Sequence, residues 1–115
     1  MIRVNGLKSC DSCKKALKWL EAEGIAFTYR DVRADGVPLS DLKVWGAKVG
    51  FETLVNKAST TWRGLSDEEK AQAQGAGAAQ LLAAHPTLIK RPVFEAGDKV
   101  LVGFKADVRA ALTSL

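Results

Sequence analysis

"MIRVNGLKSCDSCKKALKWLEAEGIAFTYRDV", residues 1–32, changes its hydrophobic period twice, and those changes decide the fold. Residues 1–5 alternate apolar and polar side chains, as a half-buried strand requires, and Gly6 breaks the alternation. From Asp11 to Glu23 the period is helical. Cys13, Ala16, Leu17 and Leu20 share one inward face, while Lys14, Lys15, Lys18 and Glu21 take the opposite one. Gly24 suits the helix stop, and "IAFTYRDV" (25–32) carries the β-branched and aromatic residues of a second strand. The stretch reads as a βαβ unit, whose two strands are normally parallel.

The chain then turns helical from Ser40 to about His85. Ser40 is placed to cap "DLKVWGAKVG" (41–50), Gly50 interrupts, and "FETLVN" (51–56) supplies a short helical turn. "SDEE" (66–69) has the Ser and Glu of a capping box, and Gly75 and Gly77 divide "AQAQGAGAAQLLAAHP" (71–86) into two short helices ended by Pro86. At the end, "PVFEA" (92–96), the turn Gly97-Asp98 and "KVLVGF" (99–104) predict a β-hairpin, and "ADVRAAL" (106–112) a closing helix. The order βαβ, helical insert, ββα is that of an α/β thioredoxin-like fold. We expect a single domain over residues 1–115, with a helical insertion at about 38–88 between the second and third strands.

At 115 residues, with 47% apolar and 26% charged side chains, the chain has the size and composition of one globular domain. No run approaches the length of about 18 apolar residues that a membrane span needs. The N-terminus lacks the apolar core of a signal peptide, so a cytoplasmic location is expected, where thiols stay reduced. The net charge of +4 is spread along the chain without an arginine-rich block or aromatic nucleic-acid motif, which argues against nucleic-acid binding. A basic balance does suit a small anionic substrate, such as glutathione or an oxyanion.

The chemistry centres on the only two cysteines, Cys10 and Cys13. Cys10 falls at the loop-to-helix junction, facing the unsatisfied N–H groups and positive dipole end that favour thiolate over thiol. Lys8 and Lys14 can add to this, whereas the carboxylate of Asp11 opposes it. Cys13 lies one turn further, on the apolar face. It is there either a small core residue or a resolving thiol within disulfide reach of Cys10. Two cysteines and one histidine, His85, fall short of the four ligands of a structural zinc site, and no metal is expected. With no second histidine to form a Cys-His pair, activation of Cys10 must be electrostatic.

Two further segments qualify as site material. In "IKRPV" (89–93), Lys90 and Arg91 precede Pro92 at a strand start, a place that suits a cis X-Pro bond, and Arg91 can grip a carboxylate or oxyanion in two-pronged fashion. In "STTWRGL" (59–65), Trp62 and Arg63 form an aromatic and cationic pair that either lines a pocket or belongs to a capping turn with its Trp in the core.

Taken together, "VNGLKSCDSCKKALKWLEAEGI" (4–25), "TTWRGL" (60–65), "HPTLIKRPVF" (85–94) and "VLVGF" (100–104) resemble the arsenate reductase (ArsC) and Spx superfamily, most closely its YffB-type branch. The resemblance implies a thioredoxin-like fold with a helical insertion. Cys10 becomes the nucleophile, Arg91 and Pro92 the "RP" motif that receives a thiol cosubstrate, usually glutathione, and Lys8, Trp62, Arg63 and Lys90 its surroundings. Arsenate reductases place three arginines around the oxyanion. Here the first falls on Asn56, beside Lys57, the third falls near Gly103, and Arg91 alone remains, which favours a glutathione-dependent thiol reductase over an arsenate reductase. Spx-type members imply an alternative, a CxxC redox switch on a regulator that binds the RNA polymerase α subunit.

Overall fold

The computed structural model describes residues Ile2–Leu115. Four strands, β1 (Ile2–Gly6), β2 (Phe27–Asp31), β3 (Val93–Ala96) and β4 (Lys99–Val102), form one sheet in the order β2-β1-β3-β4. β1 runs parallel to β2 and antiparallel to β3, and β3 and β4 form the hairpin, turning at Gly97 with φ +62. Helix α1 (Asp11–Ala22) connects β1 to β2, and the last helix follows β4. This is the thioredoxin-like βαβ…ββα order expected from residues 1–32 and 92–112.

The chain forms two compact units, one of residues up to Asp31 together with Arg91–Leu115, the other Val32–Lys90. In the first unit the apolar faces meet as their periods require. Ile2 and Val4 from β1, Ala16 and Leu20 from α1, Phe94 and Ala96 from β3, and Val108 and Leu112 from the last helix make one buried cluster. Trp19 and Phe104 pack edge-on at its margin, 5.7 Å between ring centroids. The stop of α1 is a Schellman motif. Gly24, at φ +68, donates to the Glu21 carbonyl and Ile25 to that of Leu20, a conformation glycine adopts without steric cost.

The second unit is helical: α2 (Leu39–Val49), α3 (Phe51–Leu54), α4 (Thr60–Arg63), α5 (Asp67–Gln72), α6 (Ala78–Ala84) and a 3-10 turn at Pro86–Leu88. The closing helix of the chain, α7, spans Ala106–Thr113. Trp45 and Leu42 from α2, Leu54 from α3, Leu82 from α6, and Leu88 and Ile89 are wholly buried. The Ser66 and Glu69 capping box forms as its sequence predicts. Two expectations need correction. Ser40 does not cap α2: the helix begins one residue earlier, at Leu39, with Pro38 as its N-cap and the Pro38 carbonyl accepting from Asp41 and Leu42 N–H. Proline's fixed φ presets that start and leaves Ser40 inside the first turn. Gly6 does not break β1 but ends it, paired with Asp31, for a reason that lies in Cys13. No helix among the described residues is long and apolar enough to cross a membrane.

Candidate active site

β1 delivers the chain to a short turn, Leu7–Cys10, closed by the Cys10 N–H on the Leu7 carbonyl at 3.1 Å. Cys10 is the N-cap of α1, with extended backbone angles, and its carbonyl accepts the first helical bond, from Lys14 N–H at 3.0 Å. A twelve-residue helix thus points its N-terminal end at the Cys10 thiol. The side chain is half-buried. Burial pushes its pKa up. The Cys13 N–H, the Cys13 thiol and the Arg91 guanidinium together outweigh it and hold the Cys10 thiol below its ordinary 9.0. The sulfur closes no capping hydrogen bond of standard geometry, so these groups act as donors facing a forming thiolate rather than as a fixed cap.

Cys13, on the next turn, is 1% exposed. Burial, with the neighbouring Cys10, pushes its thiol up to about 12, against the pull of the Leu7 backbone and Arg91. The two cysteines share one motif and have opposite acid–base character. Gly6 explains how Cys13 fits: a Cβ at position 6 would lie 2.6 Å from the Cys13 Sγ and 3.2 Å from its Cβ, so the strand end must be glycine for the thiol to pack on it. A Gly6→Ala substitution is expected to cost about 1–3 kcal/mol by overpacking. Thermal unfolding of Gly6→Ala and of Gly6→Ala/Cys13→Ala checks this, with part of the loss recovered in the double variant.

Arg91 comes from the far end of the chain. It is half-buried, Pro92 and Val93 after it are buried, and the Arg91–Pro92 peptide bond is cis. The Pro92 carbonyl accepts from Gly103 N–H at 2.8 Å, which holds this corner to the chain just after β4. The structure therefore brings together Cys10, Cys13 and Arg91. Lys8 and Lys14, expected to help Cys10, extend into water, and the cation acting on Cys10 is Arg91.

The other candidate residues lie in the helical unit. Trp62 is half-buried, neither open nor in the core, with Lys57 Nζ 5.6 Å and Lys70 Nζ 5.9 Å from its ring centre. Ser59 Oγ caps α4 by accepting from Trp62 N–H at 3.1 Å, and Arg63 donates to the Ala58 carbonyl at 3.5 Å. Lys90 is exposed, its N–H bonded to the Leu54 carbonyl at 2.6 Å. Asn56 shapes a turn: its Oδ1 accepts from Ala58 N–H and its carbonyl from Ser59 Oγ. His85 faces Glu69, Nε2 to Oε2 3.2 Å. Sequence reasoning missed Asn5. Its place in the alternation put it on the outer face of β1, yet it is wholly buried.

A cysteine at a helix start with a guanidinium beside it is the arrangement that the family resemblance implies, and a model of the ArsC family matches residues 6–112. The chain belongs to the ArsC family. An uncharacterized protein of Haemophilus influenzae is 45% identical over 104 residues, covering 90% of this chain and 91% of its own. The structure of a YffB protein superposes with a TM-score of 0.90 at 41% identity, covering 97% of this chain and 98% of that one. The global transcriptional regulator Spx 1 of Oceanobacillus iheyensis is 27% identical over 109 residues, covering 93% of this chain and 82% of its own. These likenesses place this ArsC-family protein on the YffB branch of the ArsC and Spx superfamily.

The acid–base split between the cysteines of this ArsC-family protein sets a pH signature. Thiolate, not thiol, is alkylated. With Cys10 held below 9.0 and Cys13 near 12, iodoacetamide at neutral pH is expected to modify Cys10 alone in the folded protein. The rate should rise with pH, level off at a midpoint below 9.0, and spread to Cys13 only on unfolding.

Proposed function

We propose that the protein is a glutathione-dependent thiol–disulfide oxidoreductase. Cys10 thiolate attacks a sulfur of a mixed disulfide between glutathione and a substrate thiol. The S–S bond breaks, the substrate leaves as thiolate and takes a proton from water, and Cys10 carries the glutathione. The thiolate of a second glutathione then attacks the glutathione sulfur of that adduct, Cys10 leaves as thiolate, and oxidised glutathione is released. Net, the mixed disulfide and one free glutathione give the substrate thiol and oxidised glutathione, so the reducing equivalent comes from the second glutathione alone. Arg91 acts in both halves, because the same guanidinium that favours the attacking Cys10 thiolate favours the departing one.

The observation that carries this reading is the opposite acid–base character of the two thiols. At neutral pH a thiol near 12 is thiolate on the order of once in 10⁴ molecules or fewer, which makes Cys13 a poor internal resolver. Once Cys10 is in a disulfide, its upward push on Cys13 is relieved, but burial is the larger cause and stays. An external thiol therefore resolves the adduct, in keeping with the mildly basic chain and with the cosubstrate that YffB-type relatives imply. Within the unit that carries Cys10, Lys8 is assigned to the anionic glutathione and Pro92 to the backbone that faces it. The presence of one guanidinium at Cys10, rather than three, favours disulfides over arsenate as substrate. The same thiol chemistry accords with a cytoplasmic protein.

The test is a glutathione-coupled turnover assay across arsenate, low-molecular-weight disulfides and protein–glutathione mixed disulfides. Turnover with a disulfide, well above that with arsenate, is the expected result. The CxxC pair and the Spx relatives favour one alternative, a redox-sensing regulator that binds the RNA polymerase α subunit. A stoichiometric complex with purified α subunit, together with no turnover on any of the substrates, would establish it instead.

A further inference from the structure

We propose that Asn5 is a positioning residue, whose carboxamide ties the end of β1 to the start of β3 and so holds Cys10 opposite Arg91. The ladder between these strands runs Arg3 to Glu95, Val4 to Phe94 and Asn5 to Val93, and there it stops. It stops at the residue that follows Pro92, and proline has no N–H to donate to a further rung. Beyond that last pair one strand leads through Gly6 and Leu7 to Cys10, and the other comes from Arg91 and Pro92. The Asn5 side chain reinforces the last rung: Nδ2 donates to the Val93 carbonyl at 3.1 Å and to Glu95 Oε2 at 3.1 Å.

The carboxamide is itself held. Arg30 Nε donates to Asn5 Oδ1 at 2.7 Å, and since a guanidinium can only donate, this fixes which end of the amide is oxygen. Arg30 and Arg3 both approach Glu95 Oε2, at 3.7 and 3.5 Å, so one carboxylate gathers two guanidiniums and the amide. The network joins β2, β1 and β3 through a side chain with 0% exposure. A wholly buried carboxamide survives only where its polar atoms are matched; here both bonds that Nδ2 donates go to β3, the strand that follows Arg91, while Arg30 of β2 holds the oxygen. The groups facing Cys10 are Cys13 and Arg91, and those facing Asn5 are Arg30 and Glu95, with Arg3 behind. Loosening the last rung lets the Arg91 segment drift, and the Cys10 thiolate loses its cation.

This inference rests on Cys10 as the reacting thiol, but not on glutathione, so its test uses iodoacetamide and stands apart from any turnover assay. Alkylation of Cys10 is followed against pH in wild type, Asn5→Ala, Asn5→Ser, Glu95→Gln and Arg91→Met. Asn5→Ala and Asn5→Ser should slow neutral-pH alkylation about three- to tenfold and raise its midpoint, as Arg91→Met does. Glu95→Gln, which keeps the Asn5–Val93 bond, should stay within about twofold of wild type. In the Arg91→Met background Asn5→Ala should add little. An Asn5 variant that melts earlier while its Cys10 titration is unchanged would overturn the proposal, as would full additivity with Arg91→Met. Failure of both Asn5 variants to fold would also overturn it, since Asn5 would then be a structural residue.

Discussion

Cys10→Ser is expected to lower glutathione-coupled turnover by at least about 10³-fold, with the fold intact. A serine hydroxyl at the start of α1 meets the same helix end and the same Arg91, but these groups favour an anion without bringing an alcohol near ionisation at neutral pH. No sulfur is left to hold the mixed disulfide, so both halves of the reaction are lost. Cys13→Ser should behave differently. The buried thiol at that position is a donor toward Cys10 and a packing group on Gly6, not an attacker. Turnover should therefore fall by less than about tenfold, and because the serine hydroxyl still donates toward Cys10, the Cys10 midpoint should stay below 9.0. Turnover assays on the two variants beside wild type measure both effects. Complete loss in Cys13→Ser would reassign the resolving step to that thiol.

Trp45→Ala is the substitution expected to do most damage to folding. Trp45 lies in α2 with no exposed surface and is the largest fully buried side chain in the chain. Removing a buried indole costs about 3–5 kcal/mol, the lost transfer energy plus the cavity left behind. A domain of this size is stable by only about 5–15 kcal/mol, so the variant should sit near the edge of folding. The two helices packed on α2 in its own unit contribute side chains that are wholly buried as well, among them Leu54 and Leu82. They cannot close the space without leaving their rotamers. Urea unfolding should show a midpoint lowered by about a fifth of the wild-type value at the least. A change below about 1 kcal/mol would mean that the cavity collapses, contrary to the packing described.

The sheet and its helices were legible because local signals agreed with the long-range arrangement. The period of two at residues 1–5, the period of 3.6 from Asp11 and the Gly97-Asp98 turn each predict one element, and each forms. Cys10 and Arg91 were legible as chemistry because a helix start and an arginine before a proline are local features. That these two meet is a matter of topology, which the family resemblance implies and neither segment shows by itself. The misreadings share one cause. Gly6 reads as a strand breaker unless one knows that the Cys13 sulfur fills the space where its Cβ would be. Asn5 reads as a surface residue unless Arg30 and Glu95, from two other strands, are already beside it. Ser40 is a good capping residue, but Pro38 starts the helix first. In each case a contact distant in sequence, or a fixed backbone angle, outweighs the local preference.

The central claim is that Cys10, made nucleophilic by its helix start and Arg91, forms a mixed disulfide with glutathione. Peptide mass spectrometry of the wild-type protein after exposure to oxidised glutathione tests it most directly. One glutathione is expected on the Cys10 peptide and none on that of Cys13 once the two are separated by fragmentation, with the adduct removed by added glutathione. No adduct, an adduct on Cys13, or an internal Cys10–Cys13 disulfide as the sole product would contradict it.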